Sequence, residues 1–434
     1  MKDFAVVVND CAAPEIRGLV HIRSQDTAYG ERNFLLRYDE LAEGLSRQLS
    51  DRELDFLEIA GHLFATDIAC ERDGGDTDWN RSILVWLPVR DPDYWTTQRA
   101  AIEGIWTDLT DDNIEIRFEQ ANNALEPPRM SKTPFPENDG VALLSGGQDS
   151  FAGALDLLAN DLHPIYLSHV ASGAISTAQK AVEAHLNNRP SSKVTRLKLT
   201  ARKAPGKSLS GQEASQRSRT FLFLVAASVV ASVASEGRVW LNENGIMALH
   251  LPLTPARIGS LSTHTAAPPI LGRIEDLASD VLATEITIEN RLVAMTKPEV
   301  IHTAVNLGGK EEMQDTVSCW QIGRTREHCG FCAPCILRRI SCETHDVPDV
   351  PYKADVFEDA AALNDIRARD NLTHMVSLVQ DLQELPDVGL EYEYPELLGG
   401  QPALTLAESI DLHRRWAAQA GNILFSHPVP ASLQ

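Results

Sequence analysis

Residues 141–158 constrain the chain more than any other stretch. Val141-Ala142-Leu143-Leu144 reads as a buried strand, Ser145-Gly146-Gly147-Gln148-Asp149-Ser150 as a tight turn, and Ser150 to Leu158 as a helix. Two adjacent glycines let the backbone turn sharply and bring its N–H groups up to an anion with no Cβ in the way. The helix that begins here adds unpaired N–H donors and positive dipole character, and Ser150 can cap it or touch a phosphate. The turn is neither the dinucleotide fingerprint nor the Walker lysine loop, since neither glycine pattern is present. The plain alternative is a helix-capping turn with incidental glycines.

The segments that follow alternate in the manner of a parallel α/β sheet. Pro164 to Leu167, Val194 to Leu199 and Val239 to Leu241 read as strands, while Thr177 to Leu186 and the apolar run Phe221 to Ala234 read as helices. The regions on either side differ in composition. Residues 1–120 alternate short apolar runs with acidic turns such as Arg72-Asp73-Gly74-Gly75-Asp76, the pattern of a small α+β domain. Residues 121–140 hold Pro127, Pro128, Pro134 and Pro136 without apolar periodicity and read as a linker. Residues 141–345 carry the α/β pattern. Residues 346–434 read as a helical extension, with Leu372, Met375, Val376 and Val379 at core-packing helical spacing.

Five of the seven cysteines lie between Cys319 and Cys342. Cys319, Cys329, Cys332 and Cys335 form the pattern C-x(9)-C-G-x-C-x-x-C, in which Gly330 allows a tight turn and four thiolates can close a tetrahedral site. Zinc is the natural occupant. The rivals are an iron–sulfur cluster, for which the run offers no further cysteine until Cys342, and a reactive redox pair. Cys342, Cys11 and Cys70 read as buried free thiols. The apolar run Ala5 to Val8 is too short for an export signal, and Thr220 to Ser235 falls short of a bilayer span. A cytoplasmic location is the expectation, in keeping with reduced cysteines. With 39 Lys plus Arg against 61 Asp plus Glu, a net charge of −22 argues against broad nucleic-acid binding.

The turn resembles the Ser-Gly-Gly-x-Asp-Ser loop of the ATP pyrophosphatases, with Ser145, Gly146, Gly147, Asp149 and Ser150 at its defined positions. Ser318-Cys319, the Cys329 to Cys335 run and Arg338 narrow the resemblance to the QueC-like branch of that PP-loop superfamily, typified by 7-cyano-7-deazaguanine synthase, over about Val141 to Glu343. The segment Arg81 to Trp95 and the extended layout look like the QueC-like proteins of anti-phage defence clusters, the Qat type (QatC). Where that family has a Tyr-Gly-Gln segment, this chain reads Leu167-Ser168-His169-Val170-Ala171-Ser172. The resemblance implies a parallel Rossmann-like (PP-loop/HUP) sheet with helices on both faces and a zinc-binding segment. It also implies ATP with magnesium, gripped by Ser145, Gly146, Gly147, Gln148, Asp149 and Ser150. A 7-deazaguanine carboxylate would attack the α phosphorus, and the acyl-adenylate would pass to an amine, in the defence type an amine on a partner protein. The alternatives are a synthase releasing the free nitrile, and a nucleotide-binding subunit of a defence complex that has lost catalysis. Thiolation of tRNA fits poorly with the acidic composition.

Further positions carry weaker expectations. Arg219, in Gln216-Arg217-Ser218-Arg219, matches the family's arginine-bearing segment and could meet a phosphate or carboxylate, against the reading of a surface arginine at a helix start. Asn242-Glu243-Asn244-Gly245 follows a strand, where Asn244 could bind the nucleotide, the amides could read a purine edge and Glu243 could pair with its N–H groups, against the reading of a polar turn. His264, within Ser260 to Thr265, and Lys310 are candidates for substrate docking and phosphate neutralisation, though each is more simply an incidental side chain.

Overall fold

Two sheets share one hydrophobic core. The computed structural model describes residues 3–433 apart from 13–17, 28–29, 73–79, 123–127, 129–132, 171, 190–193, 210, 212, 214 and 254–263. The acidic turn at 73–76, Pro127 and the stretch 260–263 therefore lie outside the described residues.

The first sheet contains β1 (Phe4–Val8), β2 (Val20–Ile22), β4 (Ser82–Val89) and β5 (Asn113–Gln120), in the order β2-β1-β4-β5. Each pairing is parallel, so this region is α/β rather than the α+β expected from its short apolar runs. The reason is local. After β4, Asp91 accepts from the Tyr94 N–H and Pro92 begins the 19-residue helix α3 (Pro92–Thr110), so the chain must cross over before β5 and returns parallel. β3 (Phe34–Arg37) leaves this sheet and pairs antiparallel with a strand of the second, Phe34 opposite Lys203. A short helical turn α1 (Asp39–Ala42) leads to α2 (Asp51–Ala69), which starts from a Ser50/Glu53 capping box.

The second sheet runs β10 (Thr287–Asn290), β9 (Arg238–Leu241), β6 (Val141–Leu143), β7 (Ile165–His169), β8 (Thr195–Lys203), β3, and among the described residues all pairs but the last are parallel. From β6 the chain adds β7 and β8 on one side, then crosses to add β9 and β10 on the other. That reversal leaves a crevice beyond the carboxyl end of β6, where ligands settle in open α/β sheets. α4 (Gln148–Ala159) and α5 (Gly173–Asn187) follow β6 and β7, and α6 (Arg219–Ala234) follows β8. As its all-round apolar sequence predicts, α6 is buried, packing on α2 from the first region and on β6 of the second sheet.

A buried charge network reinforces the join. Arg81 bridges Asp67 at 2.7 Å and Asp112, and Arg72 forks onto both oxygens of Asp112 at 2.8 and 2.7 Å. The second oxygen of Asp67 accepts from Ser218 N and Oγ, each at 2.9 Å, fixing the start of α6. Pairing by these short forked bonds is what makes such buried charges tolerable.

Beyond β9 come α7 (Gly245–Ala248), α8 (Pro268–Leu282), α9 (Lys297–Asn306), α10 (Ile322–Thr325) and α11 (Ala333–Thr344). The extension is helical, with α12 (Ile366–Glu384), α13 (Asp387–Glu393), α14 (Leu406–Leu424) and α15 (Pro428–Ala431), and the stripe Leu372, Met375, Val376 and Val379 is buried. Its core is continuous with that of the cysteine segment and α11. No described helix is long and apolar enough to cross a membrane.

Candidate functional site

β6 ends at Leu143 and α4 starts at Gln148, so the glycine turn lies in the crevice at the sheet reversal. Gly146 has φ +83°, and a Cβ there would sit 3.0 Å from the Gln179 backbone nitrogen. Glycine is therefore required both for the left-handed turn and for the close approach of α5. The turn is pinned on two sides. Gln179 Nε2 donates to the carbonyls of His169 (3.1 Å) and Ser145 (3.5 Å), and Val317 N–H donates to Gly146 O at 2.9 Å. Ser145 Oγ accepts from Gly147 N–H at 3.2 Å and donates to Ser150 Oγ at 3.1 Å, whose own hydroxyl donates to Gly147 O at 3.0 Å. Gly147 is the N-cap and no side chain caps it, so Ser150 does not serve as the cap but lies in the first turn. The N–H groups of that first turn have no acceptor within the helix and face the crevice end. Gln148 contributes only backbone here, because its side chain is buried and donates to Cys342 Sγ at 3.3 Å.

Asp149 is the centre of the site. Its Oδ2 accepts from Asn244 Nδ2 at 2.8 Å and its Oδ1 pairs with Lys297 Nζ at 2.6 Å, with both side chains of that ion pair about nine-tenths buried. Asn244 thus meets the loop, but through Asp149, while its Oδ1 caps α7 by accepting from Met247 N–H at 3.2 Å. Each end of that amide thus already carries one bond within the protein. Asn242 is buried, its amide packed against Gly153 of α4, where a Cβ would come within 2.2 Å. Lys297 has no place in the expectations drawn above. Its signal was present, since Thr296-Lys297-Pro298-Glu299 is a capping box with a lysine in the first helical turn. A cation there opposes the helix dipole, and such a local misfit marks a residue held for another purpose.

Arg219 lies solvent-exposed in the first turn of α6, 5.8 Å from the Phe223 ring, and among the described residues no hydrogen bond joins it to the loop. Its charge reaches the end of β7, where burial first, then Arg219, pushes the His169 imidazole down to about 4. Arg217 is buried beside Asp111 and Thr110 and belongs to the join with the first region. His264 stacks edge-on with His250, ring centroids 5.2 Å apart, and Lys310 pairs with Asp346 at 3.4 Å. No described hydrogen bond brings either to the loop.

The four sulfurs of Cys319, Cys329, Cys332 and Cys335 lie within 4.8 Å of one another, and all four residues are buried. Cys329 and Cys335 Sγ are 3.9 Å apart, far beyond a disulfide but near the ~3.8 Å edge of a tetrahedron with ~2.3 Å Zn–S bonds. Backbone N–H groups point at the sulfurs, Gln321 and Cys329 at Cys319 Sγ (3.3 and 3.4 Å) and Cys332 at Cys329 Sγ (3.3 Å), a set that suits thiolates. Hydrogen bonding from Cys319, with more from Cys332 and Cys335, drives the Cys329 thiol far below its ordinary range. Gly330 has φ +87°, and a Cβ would meet Ala354 O at 1.9 Å. The cluster fits a zinc ion. Cys342 lies outside it, buried against Gln148.

Arg338 ties this segment to the loop. Fully buried, it pairs with Asp349 at 2.6 Å and donates to Met313 O, Thr316 O and Thr316 Oγ1 at 2.9–3.0 Å, fixing the strand of chain from which Val317 reaches Gly146. A groove of about 670 Å3 opens beside that contact, lined by Ser172, Thr177, Ala178, Thr316, Val317 and Arg326 among others. A second cavity, of about 580 Å3 and lined by Asp139, His163, Thr195 and Arg238, sits at the amino ends of the strands, the edge away from the loop.

A largely parallel sheet with a glycine turn at its reversal and a buried four-cysteine cluster beside it defines an α/β protein with a candidate anion site and a candidate metal site. Residues 271–345 match the family described as queuosine biosynthesis protein QueC, a span containing Lys297 and all four cysteines. The chain is 28% identical over 138 residues to the 7-cyano-7-deazaguanine synthase of Hydrogenovibrio crunogenus, covering 30% of this chain and 53% of that protein. It is 30% identical over 133 residues to the synthase of Nitrosospira multiformis, with the same two shares. Against that of Rickettsia canadensis it is 29% identical over 87 residues, 19% of this chain and 37% of the relative. The chain thus spans about half the length of the curated relatives it matches, or less.

Proposed function

We propose that this protein is a QueC-like PP-loop enzyme that uses ATP to activate a 7-deazaguanine carboxylate and passes the acyl group to an amine. The observation that carries the reading is the Gly146 turn at the sheet reversal, with Asp149 held beside it by Asn244 and Lys297. Strand order supports it: counted from β6, the parallel strands run 3-2-1-4-5, the Rossmann order. The similarity to 7-cyano-7-deazaguanine synthases supports the substrate class.

In the proposed reaction a carboxylate oxygen attacks the α phosphorus of ATP, the bond to the bridging oxygen breaks, and pyrophosphate leaves. An amine then attacks the acyl carbon, AMP departs and the amine loses a proton, leaving an amide. The N–H groups of the turn and of the first turn of α4 bind the departing pyrophosphate, with Ser145 and Ser150 hydroxyls alongside. Lys297 lies within reach of the same charge. The oxygen donors Asp149, Ser145 and Ser150 fit magnesium, which supplies charge neutralisation on the phosphates. Zinc on the four cysteines would be structural, since a closed four-thiolate site leaves no open position. Arg219, exposed on the carboxyl side of the sheet, is proposed to meet substrate once bound.

The finer reading is that the acceptor amine belongs to a partner protein in anti-phage defence, with residues 1–120 and 346–434 serving as accessory regions. A second reading, release of the free nitrile, is favoured by the relatives' activity. Incubation with magnesium ATP and 7-carboxy-7-deazaguanine tests both. AMP and pyrophosphate are expected, with loss in Ser145→Ala and Asp149→Asn, whereas ADP and phosphate would refute the reading. Mass spectrometry then separates a free nitrile from a mass increment on a co-purified protein.

A further inference from the structure

The extension helix α14 reaches into the site described above. Thr296, the N-cap of α9, is fully buried, and its hydroxyl accepts from Glu299 N–H at 3.2 Å while donating to Gln419 Oε1 at 2.7 Å. That donation fixes the hydroxyl rotor with a lone pair toward Glu299. Glu299 closes the box by accepting from Thr296 N–H on Oε2 at 2.9 Å, and its other oxygen is paired with Arg415. Arg415 also donates to Ala294 O at 3.1 Å and is itself held by Asp411 at 2.9 Å. Both arms of the capping box therefore end on α14, and the next residue after the cap is Lys297.

The partner on the other side of Asp149 is braced by the same surface. Gly245 N–H donates to Met295 O at 2.9 Å, and a Cβ on Gly245 would fall 2.1 Å from Val293 O and 2.5 Å from Leu412 of α14. Asn244 and Lys297, which grip the two oxygens of Asp149, thus stand on one unit, residues 293–299 with the α7 turn, backed by α14.

We propose that Gln419 and Arg415 are positioning residues for the active-site carboxylate, acting through the α9 cap to hold Lys297 against Asp149. This rests on the reading of Asp149 as part of the ATP site. It gives the C-terminal extension a role in the chemistry and not only in packing. Arg414, the neighbour of Arg415 on α14, serves as control, because it is tied instead to Leu382, Leu385 and Asp387.

The test uses the full chain with Arg415→Met, Gln419→Leu, their combination, Arg415→Lys and the control Arg414→Met. Reductive methylation of Lys297, read by peptide mass mapping without nucleotide, reports its hold on Asp149 whatever the reaction. Labelling is expected to rise roughly tenfold in the combined variant, to stay near wild type in Arg414→Met and to be largely restored in Arg415→Lys. With magnesium ATP and 7-carboxy-7-deazaguanine, kcat for AMP formation should fall roughly tenfold while the KM for ATP moves less than about threefold, since an orienting contact acts mainly in the transition state. Unchanged Lys297 labelling, or an equal rise in Arg414→Met, would overturn the positioning role, as would undiminished kcat alongside raised labelling. If wild type forms no AMP while Lys297 labelling responds as expected, the reaction assigned above fails and the α14 brace stands.

Discussion

Replacing Lys297 with Met keeps the bulk of the stem and removes the cation 2.6 Å from a carboxylate that is only 11% exposed. Removing one member of a buried ion pair costs ~3–5 kcal/mol, because the other charge is left without a counterion. Asn244 still donates to Oδ2, so the lower end, about 3 kcal/mol, is expected. The loss should appear where the pair joins the chain, in α4 and α9. Hydrogen exchange of peptides from those helices in the full-length protein should quicken by roughly a hundredfold, while exchange in the first sheet is unchanged. The double variant Lys297→Met, Asp149→Asn removes both charges and leaves an amide near the size of the carboxylate. Its local stability should return to within about 1 kcal/mol of wild type, with AMP formation still absent. A single-variant loss below about 1 kcal/mol, or a double variant no more stable than Lys297→Met, would refute the view that this pair is a desolvated, mutually dependent unit.

Other consequences are equally open to measurement. Gly146→Ala must place a side chain at φ +83° and 3.0 Å from the Gln179 nitrogen, a backbone cost of ~1–2 kcal/mol before any clash, and AMP formation should fall at least a hundredfold with an unchanged circular dichroism spectrum. Retained activity would show that the turn geometry is not the cradle. Elemental analysis should find about one zinc per chain, and Cys332→Ser should lose it and speed exchange in residues 313–318, which Arg338 holds to α11. Iron with visible absorbance would overturn the metal assignment. Burial works against a charge on His427, yet its bonds to Glu343 and Glu358 raise its pKa above the ordinary value. A raised folded-state pKa contributes stability that is full below the unfolded value and is lost as pH rises through the folded one. Protection factors of residues 426–433, taken relative to the base-catalysed intrinsic exchange rate, should therefore be higher at pH 5.5 than at pH 8.5, and a difference in protection that persists in His427→Gln would exclude this origin.

Local chemistry made much of this protein legible in one dimension. The run from Val141 to Leu158 had to be strand, turn and helix, because apolar residues, paired glycines and a helical pattern follow one another within a few residues. The spacing of Cys319, Cys329, Cys332 and Cys335 called for one tetrahedral centre, and their sulfurs do converge. The all-round apolar character of α6 required burial on every side, which the second sheet and the helices α2 and α8 supply. What these features share is that their causes lie within about twenty residues of chain.

Only the tertiary structure decided which distant groups meet. The transfer of Phe34–Arg37 to the second sheet, the packing of Asn242 against Gly153 and the bond from Asn244 to Asp149 depend on crossovers and packing that residue type does not encode. Lys297 stands 148 residues from Asp149, and Gln419 a further 123 from the helix cap before that lysine. A local sequence pattern fixes backbone conformation over a few turns, whereas the pairing of charges across such separations is selected by the collapse of the whole core, which alone makes a buried carboxylate need its lysine.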